Sequence, residues 1–297
     1  MAGARAVKAA LAIDGIPISN IDKVWFPEDG ITKGDVVRFY DHISASILPW
    51  LKDRPLTSER CPDGLAGQCF YQKDFPDTRA PADFPRVVVR ASSTGKDVHY
   101  LVGGSRRVLL WLANTGCIAM HVMATPASRL QEPEWLALDM DPINGEFADA
   151  ARAGLALRTL LDEHKLPSFP KTSGSRGLHI FLALKRGHTC EQVVSFATSL
   201  GEELARREPK LVTMARSKTA RAAPVYADPF RNAYMQTIVP PFSVRRRPHA
   251  PVSMPLDWDE VTPKLDPAKF NIRTFDKRVA KADPWKDFKK SAVRLPA

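Results

Sequence analysis

Apolar positions recur at two spacings along the chain. Val36, Val37, Phe39, Tyr40, Ile43 and Ile47 follow a helical period behind Thr32 and Asp35, a pair suited to capping a helix start. This predicts a helix near 33–48, ending at Pro49. The same period predicts helices near 106–114, 147–164 (Phe147, Ala151, Leu155, Leu160) and 190–207 (Val193, Val194, Phe196, Leu200, Leu204). Short alternating or apolar runs predict strands at 86–90, 98–102, 134–139, 178–184, 224–227 and 236–244. Helices and strands alternate, so the class is mixed α and β. From 134 to 228 the order strand, helix, strand, helix, strand describes a sheet with two helices on one face. Parallel and antiparallel pairing stay open.

No internal repeat or low-complexity tract divides the 297 residues, so one compact unit of many short elements is expected. With 44% hydrophobic residues the chain can bury a sizeable core, and no apolar run of the ~18 residues needed to span a bilayer is present. The four cysteines, Cys61, Cys69, Cys117 and Cys190, lack CxxC spacing and read as reduced, mostly buried thiols. In the opening stretch MAGARAVKAALAIDG the apolar run is broken by Lys8, which disfavours a secretory signal and makes a cytoplasmic protein the default.

Charge changes this picture through its placement. The total of 43 basic against 33 acidic residues, +10, favours a polyanionic partner without excluding an ordinary basic enzyme. Residues 131–150 hold Glu132, Glu134, Asp139, Asp141, Glu146 and Asp149 with no Lys or Arg, a composition that calls for a cation. Residues 211–250 reverse the balance, with Arg216, Lys218, Arg221, Arg231, Arg245, Arg246 and Arg247 against the lone acid Asp228.

Four stretches carry candidate chemistry. In Glu134–Pro142, strand alternation puts Leu136, Leu138 and Met140 on one face and Ala137, Asp139 and Asp141 on the other. Carboxylates two residues apart repel unless a cation lies between them, and hard oxygen donors suit Mg²⁺ or Mn²⁺. A solvated turn before a helix would read the same. The loop Lys171–His179 combines Ser173, Gly174, Ser175, Arg176 and Gly177 ahead of an apolar strand, the makings of a phosphate cradle, although a flexible turn with a buried histidine is the plainer reading. Asp228 ends a third strand and could join the first two carboxylates, or merely turn the chain before Pro229. Finally Arg245 and Arg247 would share a face after a strand, fit for a triphosphate or for a solvated edge.

Taken in order, DMDP, TSGSRGLHI, a strand-end Asp and SVRRR resemble the archaeo-eukaryotic primase superfamily, and more narrowly the polymerase domain of bacterial ligase D. The similarity also covers Ser19–Pro27 with Thr32–Asp35, Phe70–Lys73, Trp111–His121 and Asp283–Trp285, from about residue 14 to the end. The resemblance implies an α+β, primase-like fold with mixed or antiparallel sheets. An N-terminal α/β module near 14–130 would contact DNA, an RRM-like catalytic module near 131–250 would be flanked by helices, and 251–297 would pack back.

It further implies a template-directed nucleotidyltransferase that extends primer 3′ ends at DNA breaks or short gaps, in non-homologous end joining or gap-filling repair. Two Mn²⁺ or Mg²⁺ ions and NTP or dNTP substrates would be required. By motif match, Asp139, Asp141 and Asp228 would be the metal-binding catalytic triad. Ser173, Arg176, His179, Arg245 and Arg247 would hold the triphosphate, Phe70 or Tyr71 would stack on the base, and His121 would line the nucleotide pocket. Asn20, Lys23 and Lys33 would grip a 5′-phosphate across the gap, and Arg216, Lys218 and Arg221 would form a mobile DNA-contacting loop. Ku and a DNA ligase are implied as partners and the bacterial nucleoid as the setting.

One departure stands out. After the third aspartate the family usually has Trp-Ser-Gln-Asn, whereas here stands Pro229-Phe230-Arg231-Asn232, so Arg231 could bind phosphate and shift sugar selectivity. The 297 residues hold no ligase or nuclease segment, which fits a stand-alone polymerase or an excised domain. De novo priming, and a catalytically silent module that bridges DNA ends, are the competing readings.

Overall fold

The computed structural model describes residues 11–76, 78–91, 94–143, 145–279 and 283–296. Residues 1–10, on which most of the signal-peptide reading falls, lie outside the described residues. Two small hairpins open the fold, β1 (Leu11–Ile13) with β2 (Ile16–Ile18) and β3 (Val24–Phe26) with β4 (Ile31–Thr32). Thr32 then caps α1 (Lys33–His42) through the capping box with Asp35.

The helix expected over 33–48 is two helices. α1 stops at Ile43, and α2 (Ser44–Leu51) continues past Pro49. Pro49 stands sixth in this eight-residue helix, past the first turn, and so forgoes the i→i−4 bond its position would otherwise make. Next come β5 (Leu56–Arg60), β6 (Phe70–Gln72), the hairpin β7 (Arg86–Arg90) with β8 (Asp97–Leu101), α3 (Arg106–Asn114) and β9 (Cys117–Met123). Cys61 and Cys69 flank the β5–β6 connection with Cα atoms 4.4 Å apart and form a disulfide. The all-thiol expectation is therefore corrected for this pair, which the chain's return from β5 to β6 brings together; Cys117 and Cys190 are free and buried.

The second half contains β10 (Trp135–Pro142), α4 (Phe147–Glu163), β11 (Phe169–Thr172), β12 (Leu178–Ala183), α5 (Cys190–Arg207), β13 (Val212–Thr213), β14 (Val225–Asp228), β15 (Thr237–Ile238) and the short α6 (Phe275–Val279). The strand expected over 236–244 shrinks to β15, because Pro240 and Pro241 have no N–H to continue the ladder.

Two sheets organise the molecule. One runs β15-β9-β5-β6; the other runs β11-β12-β10-β14-β13 and is antiparallel except for the β13–β14 pair. On β10 the alternation is as the sequence pattern requires. Leu136, Leu138 and Met140 pack with α4 and α5 in one core, whereas Trp135 and Ala137 belong to a second core shared with α1, α3, β5 and β9. The carboxyl end of the chain joins that second core through Trp285 and Phe288, and the Trp285 indole donates to the Pro170 carbonyl at 3.0 Å. The five-stranded sheet thus has helices on one face and the four-stranded module on the other. Polar residues on the second face of β10, β12 and β14 point into the space between the sheets.

Candidate active site

Register decides which acids meet. Asp139 on β10 is the cross-strand partner of both His179 on β12 and Asp228 on β14, and Asp141 stands opposite Tyr226. Asp139, His179 and Asp228 therefore sit side by side on one face at the sheet's centre. Their side chains touch: His179 Nε2 lies 3.3 Å from Asp139 Oδ1, and Arg231 Nε lies 3.2 Å from Asp228 Oδ2 and 3.8 Å from Asp139 Oδ2.

Burial alone would push the Asp139 carboxyl up. His179, Arg231 and Lys171 outweigh that and hold it at about 2, so Asp139 stays ionised. Asp141 and Asp228 go the other way, raised by burial and by the charge of Asp139. With Asp139 ionised, Asp141 and Asp228 resist taking a charge of their own, and carboxylate oxygens of this kind are the donors a hard divalent ion takes. The donor chemistry fits Mg²⁺ or Mn²⁺. Among the described residues no three such side chains already converge as a metal cage, since Asp141 lies one pleat beyond and Arg231 lies across the other two.

Behind the carboxylates is a residue that the motif reading passed over. Lys171 is fully buried, with Nζ 2.8 Å from His179 Nδ1 and donating to Ser253 Oγ at 2.6 Å. Burial, then the Lys171 charge, pushes His179 down to about 4, so the ring is neutral near pH 7. A neutral ring that accepts from Lys171 at Nδ1 carries its proton on Nε2, facing Asp139. No sequence signal marked it, because the β11–β12 ladder register, not alternation along the strand, sets Lys171 against His179.

The Lys171–His179 loop is shaped by its own atoms. Ser173 Oγ accepts from the Ser175 and Gly177 amides at 3.1 and 3.0 Å, and Gly177 returns a bond from the Ser173 amide at 2.9 Å. Gly174 has φ +69°, and a Cβ on Gly177 would stand 2.7 Å from the Met140 carbonyl oxygen, so both positions require glycine. Arg245 and Arg247 reach this loop, at 2.7 Å to the Ser173 carbonyl and 3.1 Å to Ser175 Oγ. They do so from a tight turn, with the Arg247 amide bonded to the Arg245 carbonyl, instead of from the strand that was expected. Between Arg176 and Arg247 lies a cavity of about 310 Å³. Arg246 turns aside to the buried Glu59, at 2.7 Å.

Across the gap between the sheets, His121 on β9 stands 4.0 Å from Glu59 and 5.4 Å, edge to face, from the exposed Tyr71 ring. His121 Nε2 and Arg245 Nε are buried with no hydrogen-bond partner among the described residues. Tyr71 and Phe70 occupy opposite faces of β6, and Phe70 lies instead by Arg60, 5.5 Å from its guanidinium.

The two remaining groups lie apart. Lys33, only 5% exposed, starts α1 and donates to Ser19 Oγ at 3.1 Å. Burial, then the charge of Lys23, lowers it to about 8, so the two ammonium groups are close enough to repel. Lys23 is paired with Asp63, and Asn20 supports the turn with φ 52° while its carbonyl receives the Lys23 amide. In the loop 216–221, Arg216 stacks on Phe230 at 4.3 Å and Arg221 on Tyr226 at 3.8 Å, beside the carboxylates, with Lys218 exposed.

Residues 32–285 match the LigD primase-polymerase domain family. The chain is 30% identical over 283 residues to the multifunctional non-homologous end joining protein LigD of Mycolicibacterium smegmatis, covering 92% of this chain and 35% of that protein. To the bifunctional LigD of Bacillus subtilis it is 33% identical over 277 residues, covering 92% and 44%. The chain thus spans less than half the length of these relatives. Among solved structures it resembles the polymerase domain of Mycobacterium tuberculosis ligase D in complex with DNA, with a TM-score of 0.84 and 28% identity over 94% of this chain and 99% of that one. The α+β architecture is accordingly the archaeo-eukaryotic primase-like fold. The chain belongs to the LigD primase-polymerase domain family, a class of nucleotidyltransferases.

Proposed function

We propose that this domain extends DNA 3′ ends at breaks and short gaps, copying a template, with divalent cations held by Asp139, Asp141 and Asp228. The observation that carries the reading is the cross-strand pairing of Asp139 with Asp228 on the face to which Arg176, Arg245 and Arg247 bring positive charge. In the reaction the primer 3′-oxygen forms a bond to the α-phosphorus, the bond to pyrophosphate breaks, and the hydroxyl proton passes to solvent. Bound Mn²⁺ or Mg²⁺ would polarise that hydroxyl and offset charge on the leaving pyrophosphate.

The chain's own groups supply the rest. Asp139 stays ionised and is oriented by the Nε2–H of neutral His179. Arg176, Arg245 and Arg247, with the Ser173 loop, draw the triphosphate tail toward the cavity between Arg176 and Arg247. Tyr71 stacks on the base beside His121, a contact that tolerates any base. Lys23 and Lys33 take the 5′-phosphate on the far side of the gap, and Arg216, Lys218 and Arg221 meet template or primer. Non-homologous end joining is the setting that the relatives' names support, and Ku and a DNA ligase would be its partners there.

Primer extension on a gapped, 5′-phosphorylated duplex with Mn²⁺ tests this. The wild-type chain extends the primer; Asp139→Ala and Asp228→Ala do not. Extension by either variant at the wild-type rate refutes the reading.

A further inference from the structure

Arg231 sits in the turn Phe230–Asn232, three residues after Asp228. That turn is pinned to β10. The Asn232 side chain accepts from the Ala137 amide and donates to the Ala137 and Pro229 carbonyls, each at 2.7 Å, two residues before Asp139. Asp228 Oδ1 also receives the Phe230 amide at 2.9 Å. The root of Arg231 is thus fixed relative to the two acids its guanidinium contacts. Its side chain is 42% exposed against 18% for Asp139 and 13% for Asp228, so it covers them from the solvent side.

A guanidinium placed on two carboxylates satisfies the same charge deficit that a divalent ion would. It cannot share those oxygens with the ion without two cations in close contact. A nucleoside triphosphate, held by Arg176, Arg245 and Arg247 nearby, offers Arg231 a more highly charged acceptor.

We infer that Arg231 is a built-in competitor for the divalent cation at Asp139 and Asp228, drawn away when the triphosphate arrives. The inference rests on the metal site proposed above. It makes metal and nucleotide binding mutually reinforcing, because each relieves the cost that Arg231 imposes on the other.

Titration with Mn²⁺, read as loss of the free-ion electron paramagnetic resonance signal, tests it without turnover. Without nucleotide, Arg231→Gln binds Mn²⁺ about tenfold more tightly than wild type, the scale of one partly screened charge repulsion. Arg231→Lys, which keeps the charge, stays as weak as wild type. With a triphosphate analogue that cannot be cleaved between the α- and β-phosphates, wild type tightens and the difference from Arg231→Gln shrinks. Equal or weaker Mn²⁺ binding by Arg231→Gln overturns the inference. Asp139→Asn separates the two readings. If it abolishes Mn²⁺ binding while Arg231→Gln has no effect, only the role of Arg231 falls; if it leaves Mn²⁺ binding intact, the metal site and the inference fall together.

Discussion

Lys171 holds Nζ 2.8 Å from Nδ1 of His179, in a fully buried position behind the candidate carboxylates, where burial and then the charge of Arg245 push its pKa well below the usual lysine value. A lysine amino group kept out of water is costly unless its contacts serve a purpose. Here it fixes which ring nitrogen of His179 bears the proton that faces Asp139. Lys171→Met keeps the volume and removes that control. We expect kcat to fall by roughly tenfold to hundredfold, as when an orienting partner is lost. Nucleotide KM should change by less than about threefold, because binding groups are untouched. The melting temperature should hold or rise. Unchanged turnover, or a collapse of stability that accounts for the loss, would contradict this role.

Lys33 carries a pH prediction. Burial, then the charge of Lys23, lowers it to about 8, so it is charged at neutral pH and neutral above that value. A phosphate needs the charged form. The preference for a 5′-phosphorylated over a 5′-hydroxyl gap should therefore weaken as pH rises from about 7 to 9, by up to about tenfold. Fluorescence anisotropy at matched ionic strength measures it. Lys33→Gln should show a low preference with no such slope, and a flat wild-type profile would remove Lys33 from the phosphate site.

The opposite orientation of the two exposed aromatic rings of β6 distinguishes their roles. Tyr71 lies beside His121, and Phe70 lies beside Arg60. Tyr71→Ala should raise nucleotide KM about tenfold, in keeping with ~1–3 kcal/mol per stacked base. Phe70→Ala should leave it within about twofold. Steady-state kinetics with the ranking reversed would assign the stacking role to Phe70.

Gly177 is under steric constraint from β10. Its added Cβ would meet the Met140 carbonyl oxygen at 2.7 Å, between Asp139 and Asp141 in sequence. Gly177→Ala should cost about 1–3 kcal/mol in urea denaturation, the usual range for overpacking. It should also raise nucleotide KM, since the loop that carries Arg176 moves. Wild-type stability and KM together would show that the loop is freer than the contact implies.

Much of this was legible in local pattern. The period-two run of β10 placed Asp139 on the face opposite Leu138 and Met140, and the helices at 147 and 190 follow from apolar spacing alone. Short strands such as β5 and β9 were missed because each is buried with little alternation to read. The break at Ile43 was hidden because α1 and α2 keep one apolar period across it. Pairing was not legible at all, and the meeting of Asp139 with His179, and of Lys171 with Ser253, depends on ladder register and on a return of the chain 82 residues later. Glu59 faces His121 through the β5–β9 pairing, and its hold on Arg246 is visible only once the chain returns to it 187 residues later.

The most direct test of the central claim is crystallographic. The chain would be bound to gapped DNA with Mn²⁺ and a triphosphate that resists cleavage, and the manganese located by anomalous scattering. The account predicts manganese against the carboxylates of Asp139, Asp141 and Asp228, with Arg231 turned from them toward the phosphates. Manganese bound elsewhere, with Arg231 still across Asp139 and Asp228 while nucleotide is present, would contradict it.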